Sequence, residues 1–429
     1  MNKTSATVEK LQTHKSAKHT GTPSQSISYH STASQSPQNQ KVPDKMANAT
    51  SEKMPETRRQ SIRPTSIPMP AAYGSRGEDF GFAFDIDGVI YKSGQLCPGA
   101  KDAMSYLHKN NIPFIFLTNG GGKTEAVRAK DMSEKLGIPI LAEQFIQAHT
   151  PFKKFAPEYE DKVVLVMGGV GDECRHVAEA AYGFKNVVTS ADLTTNTPCL
   201  SPFDEIHGDY FKKTARALPT TMNASGSRSG VQISAIFIFS SPREWCLDLQ
   251  IITDLLRSES GIFGTISSKN NNPDLPNKGF LQDGQPRLYF ANPDITYATS
   301  YHIPRICQGS FKFALEGMWR GMTGTDLIAG EHYTQIGKPT QLQFEFGEQA
   351  LQEVAKSNLK TVYMVGDGPQ SDIAGANNYR SPWGSTWKSI LVQTGIHEAG
   401  SVPEHEPTVE VGNVLDAVQW ALKQQGIDM

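Results

Sequence analysis

The chain has 429 residues, enough for two or three domains, and its 41 basic and 44 acidic side chains nearly cancel to a formal net charge of −3. That balance gives no global attraction to nucleic acid. Five cysteines without a CxxC pair argue against a disulfide framework or a zinc site, and no apolar run reaches the ~18 residues of a membrane span.

Up to about residue 76 the chain is Ser, Thr, Gln, Lys and Pro with few large apolar side chains. Such a segment cannot bury enough apolar surface to offset its ordering entropy, so residues 1–76 read as a disordered tail. The tail is basic and acid-poor, with Arg58, Arg59 and Arg63, which are features of an organellar transit peptide. From Asp79 onward, short apolar runs alternate with helical stretches. FAFDI (82–86) precedes AKDAMSYLHKNN, and IPFIFLTN (112–119) precedes GKTEAVRAKDMSEKLG, which has helical periodicity and stops on a glycine. VVLVMGG (163–169) precedes DECRHVAEAAYGF. Further runs follow at 233–241, 286–294, 361–368 and 389–395, while 196–232 and 264–285 read as surface insertions in a second domain. The pattern is that of an α/β protein with a parallel sheet covered on both faces.

Open parallel sheets bind ligands at the carboxyl ends of their strands. Asp85 and Asp87 end the first run, Thr118 and Asn119 the second, followed by Gly120, Gly121 and Gly122. The run at 361–365 ends in Gly366-Asp367-Gly368, with Ser371 and Asp372 beyond. Four aspartates gathered at strand ends would repel one another unless a cation lay among them, and carboxylate oxygens suit Mg²⁺. Thr118 and the glycine amides can donate to phosphate oxygens, and Lys338 in YTQIGKP can neutralise a phosphoryl group. An aspartate can then attack phosphorus, while a carboxyl two residues on serves as acid and base. Each motif alone has a plainer reading, since Asp-Gly is a common turn and a lone lysine is usually a surface residue. Their joint occurrence, in order and each after an apolar run, outweighs those readings.

DIDGVIY, LTNGGGKT, IGKPT and VGDGPQSDIAGANN, in this order, resemble the four motifs of the haloacid dehalogenase (HAD) superfamily. ANPD (291–294) and the long stretch between the second and third motifs resemble its subfamily IIA. TNGGGKTE and GANNYRSPWGSTWKSILVQTG are similar to the cat eye syndrome critical region protein 5 group, many of whose members are mitochondrial. The resemblance implies a Rossmann-like HAD core at 77–150 and 291–429, with an inserted α/β C2-type cap at 151–290. It implies that Asp85 is the nucleophile and Asp87 the general acid/base. Thr118, Asn119 and Gly120 would bind the phosphoryl group, and Lys338 would stabilise the charged intermediate. Asp85, Asp367 and the backbone carbonyl of Asp87 would hold Mg²⁺, with Asp372 orienting metal-bound water.

The function so implied is a Mg²⁺-dependent phosphatase of a small phosphorylated metabolite. The alternative is a catalytically weak HAD-like protein with a binding or regulatory role connected with mitochondrial glycerophospholipid metabolism. A homodimer through the cap and a mitochondrial address, with the cytoplasm as alternative, complete the expectations. Glycines in place of polar residues at 120 and 121 remove side-chain contacts to substrate. Asp294 reads as a turn cap or a core–cap junction residue, Cys97 and Cys307 as buried fillers, and Trp383 and Trp387 as packing residues.

Overall fold

The structure is a computed structural model that describes residues 79–202, 208–219, 221–222 and 228–429. The tail 1–76 and parts of the 196–232 insertion lie outside the described residues. Two parallel sheets organise the rest. The first has six strands, in the order Val409–Val411, Thr386–Val392, Thr361–Gly366, Phe80–Phe84, Phe114–Leu117 and Phe145–Ile146. All five pairings within it are parallel.

Alternation explains why these runs are strands buried on both sides. Phe82, Phe84, Phe114, Phe116, Tyr363 and Val365 point to one face, where they pack on the helices Ala100–Lys109, Glu125–Leu136 and Val414–Gln424. Ala83, Ile115, Leu117, Val362 and Met364 point to the other, against the helix Gln341–Ala355. Thr124 caps Glu125–Leu136 by accepting from the Val127 amide, and Gly137 ends that helix at φ 73°.

A second parallel sheet is inserted between Phe145–Ile146 and Thr361–Gly366. Its order is Tyr333–Gln335, Arg287–Phe290, Ala235–Ile238, Val163–Met167 and Asn186–Val188. It too is covered on both faces, with Trp245–Leu256 and Gln308–Thr323 on one and a cluster around Phe152, Phe237 and Tyr289 on the other. Its outer strand, Tyr333–Gln335, lies well past residue 291, where the family resemblance put the return to the core. The short, mostly polar segment there, with a Gly-Lys-Pro turn behind it, carries no sign of the sheet it joins. Among the described residues no helix is long and apolar enough to cross a membrane.

Register in the first sheet aligns the strand ends. Phe84 pairs with both Val365 and Phe116, so Asp85, Thr118 and Asp367 all emerge within one or two residues of the same level.

Candidate active site

The three central strand ends open into a cavity of about 850 Å³ lined by Asp85, Asp87, Thr118, Lys338 and Asp367, among others. Lys338 sits at its floor, 1% exposed. Its Nζ donates to Asp85 Oδ1 at 2.7 Å, to Asp372 Oδ1 at 2.6 Å and to the Leu117 carbonyl at 2.8 Å, which uses all three ammonium protons. Burial works against the Lys338 charge, but Asp372 and Asp85 outweigh it and hold the amine above its ordinary value. Asp85, Asp367 and Asp372 each bring a carboxylate oxygen within 4.8 Å of the others. Three carboxylates thus face one ammonium. Burial lifts Asp372 to about 6 and Asp367 well above the usual range, with Asp85 adding to both. A buried, all-oxygen set with unbalanced negative charge is a fitting seat for a hard divalent cation.

Asp87 stands apart from this trio. Its carboxylate opens to the cleft beside Gly120 and is not in the group close enough to share a cation. Desolvation by the crowded cleft wall raises its pKa, Asp85 raises it further, and Arg128 and Lys338 pull it down. Asp367 is held from above. The Ile396 amide donates to its Oδ2 at 2.6 Å, and a Cβ on Gly395 would stand 1.7 Å from that oxygen. Gly88, at φ 92°, closes in from the other side.

Asn119 is placed differently from a phosphoryl ligand. Its Oδ1 accepts from the Lys338 amide at 2.8 Å, and its Nδ2 donates to the Lys338 carbonyl and to Asp294 Oδ1. The side chain is therefore committed to fixing the lysine loop to the core. Asp294, pushed up to about 7 mainly by burial, does join core and second sheet through that contact. The Gly120 amide donates to Thr118 Oγ1 and the Gly122 amide to His149 Nε2, so of the three glycine amides only that of Gly121 has no acceptor among the described residues. The Thr118 hydroxyl keeps its own proton to donate.

The glycine run also has a packing cause. A Cβ on Gly121 would lie 2.5 Å from His149 Cδ2, so the imidazole takes the space that a side chain would need. His149 accepts from Gly122 at Nε2, which puts its proton on Nδ1, 2.6 Å from the Tyr182 hydroxyl. Tyr182 donates in turn to Glu125 at 2.7 Å, and Glu125 also accepts from Thr150 and pairs with Lys153 at 3.4 Å. This relay behind the turn has no sequence signature, because its members come from three separate segments. The two tryptophans divide: Trp387 packs on Phe344 and Tyr379, whereas Trp383 is exposed. Cys97 and Cys307 are buried.

Residues 82–185 match the family model of haloacid dehalogenase-like hydrolases, and 335–418 match a second HAD hydrolase-like model. A mitochondrial hydrolase of Saccharomyces cerevisiae is 33% identical over 368 residues, covering 80% of this chain and 95% of that protein. The chain belongs to the haloacid dehalogenase-like hydrolases. A cardiolipin synthase/mitochondrial hydrolase fusion protein of Schizosaccharomyces pombe is 36% identical over 81% of this chain, which spans about half (53%) of that longer protein. A 4-nitrophenylphosphatase of Thermotoga maritima aligns over 80% of the chain and 96% of its own, at 16% identity and a TM-score of 0.49. As a member of the HAD superfamily, the chain is a hydrolase, and its strand-end aspartates line the cavity.

Proposed function

We propose that this hydrolase is a Mg²⁺-dependent phosphatase of a small phosphorylated metabolite, acting through a phosphoryl group carried on Asp85. The observation that carries the reading is the Lys338 ammonium bridging Asp85 and Asp372, with Asp367 completing a carboxylate trio at the floor of one cavity. Asp85 and Asp367 would hold the metal with the Asp87 carbonyl, and Asp372 would orient its water. When bound, Mg²⁺ supplies positive charge to the phosphoryl oxygens and to the trio. Thr118 and Gly121 line the cavity, and the Thr118 hydroxyl and the Gly121 amide would hold the remaining oxygens. A free Asp85 oxygen attacks phosphorus as the ester P–O bond breaks. Asp87, whose pKa burial and Asp85 raise, would give its proton to the leaving oxygen. Asp87 then takes a proton from water, which attacks phosphorus, releases inorganic phosphate and restores the Asp85 carboxylate. Asp372 and Asp85 fix the Lys338 charge, so the ammonium opposes charge build-up without moving.

The names of the two fungal relatives support a mitochondrial setting, and the fusion partner of one supports a link to phospholipid synthesis. Turnover of p-nitrophenyl phosphate with Mg²⁺ tests the reading. Asp85→Asn should lower kcat on the order of a thousandfold or more. A variant that kept the wild-type rate would remove Asp85 as the nucleophile, whereas failure of the wild type to turn over phosphate esters would leave the binding or regulatory alternative in its place.

A further inference from the structure

Two arginines line the same cavity, and among the described residues neither makes an ion pair or a side-chain hydrogen bond. Arg128, on the first turns of Glu125–Leu136, makes no ion pair or side-chain hydrogen bond among the described residues, and its Nε is buried without an acceptor. Arg243 follows the strand Ala235–Ile238 of the second sheet, is exposed, lines both this cavity, beside Ser240 and Ser241, and a smaller neighbouring one, and makes no ion pair among the described residues. Their place in the cleft indicates what they meet. A Cβ on Gly120 would lie 3.1 Å from Arg128 Nη2 and 3.2 Å from Asp87 Oδ2, so the guanidinium and the proposed acid flank the same glycine. With Asp87 as the acid, a group beside it meets the leaving side of an ester. Lys338 is taken up by Asp85 and Asp372 at the floor, and among the described residues none of the acidic side chains that line the cavity, Asp85, Asp87, Asp294, Asp367, Glu398 and Glu404, makes an ion pair with either arginine. A guanidinium fork whose Nε is desolvated and unmatched suits a planar or tetrahedral anion, which it binds bidentately.

We infer that Arg128 and Arg243 form a second anion subsite, and that the substrate is a phosphomonoester whose leaving group carries its own carboxylate or phosphate. This rests on the phosphatase reading for the first phosphoryl group. Three esters of one length separate the terms: propyl phosphate, 3-(phosphonooxy)propanoate and propane-1,3-diol bisphosphate. With Mg²⁺, wild-type kcat/KM should favour at least one charged ester over propyl phosphate by about tenfold to a hundredfold. The better of the two names the anion. In Arg128→Gln and Arg243→Gln that ratio should fall toward one, and a general loss of activity cancels within it. Arg243 is exposed, so its variant keeps the test open should the other fold poorly. Affinities of the three esters for Asp85→Asn, measured by calorimetry, should follow the same order.

Selective binding of the charged esters without turnover by the wild type would keep the subsite and remove the phosphatase reading. Equal turnover of all three, or a ratio untouched by both arginine variants, would overturn the subsite and leave the phosphatase standing.

Discussion

Lys338 is buried yet remains charged because the two carboxylates that it touches cost more to bury alone than with it. The same accounting predicts the opposite state for His149. Its ring is fully buried, its Nε2 is occupied by the Gly122 amide, and burial lowers its pKa to about 4, with Arg128 and Lys153 adding to the effect against Glu125. In the fold the imidazole stays neutral, whereas the unfolded chain takes up a proton below about 6.5. Its stabilising contribution is therefore complete above pH 6.5 and is lost as pH falls toward 4, reaching about 3 kcal/mol at the lower end. Urea melts across pH 4–8 should show a smaller acid loss for His149→Gln than for wild type. Parallel curves would mean that the ring is protonated in the fold. Sequence spacing pointed to Asp85, Asp87, Thr118, Lys338, Asp367 and Asp372 because each ends or follows an apolar run. His149, Tyr182, Arg128 and Arg243 carry no such mark, since a lone polar residue on a helix or loop takes its meaning only from what lies opposite in space.

At the scale of elements, the aromatic ladder of Phe82, Phe84, Phe114, Phe116 and Phe145 holds the catalytic strand ends in register. Phe116 is fully buried and 4.8 Å from the Phe145 ring. Phe116→Ala should cost about 3–5 kcal/mol. By contrast, Thr340→Ala, which removes the cap of Gln341–Ala355, should cost about 1 kcal/mol. Denaturant midpoints at constant m-value measure both, and equal costs would contradict the ladder's role. These strands were legible as continuous apolar runs. The strand Tyr333–Gln335 was not, because three residues with one polar side chain outward look like the end of a loop.

The whole molecule joins two parallel sheets through the loops that build the site. The Asn119–Asp294 bond, Asn292 Nδ2 donating to the Asn119 carbonyl, and the Tyr182–Glu125 bond all tie the inserted sheet to the first around the glycine turn. The α/β class, the superfamily and the aspartate positions could be read from the chain. The packing reason for Gly121 could not, because the side chain that fills its space lies 28 residues on in sequence, at His149.

During turnover the proposed nucleophile, Asp85, should carry the phosphoryl group. Acid-quenching wild-type protein during turnover of a phosphate ester with Mg²⁺, then mapping the phosphorylated peptide by mass spectrometry, tests it most directly. The phosphoryl group should sit on Asp85 and be absent from Asp85→Asn. A label on another residue, or steady turnover by Asp85→Asn, would contradict the account.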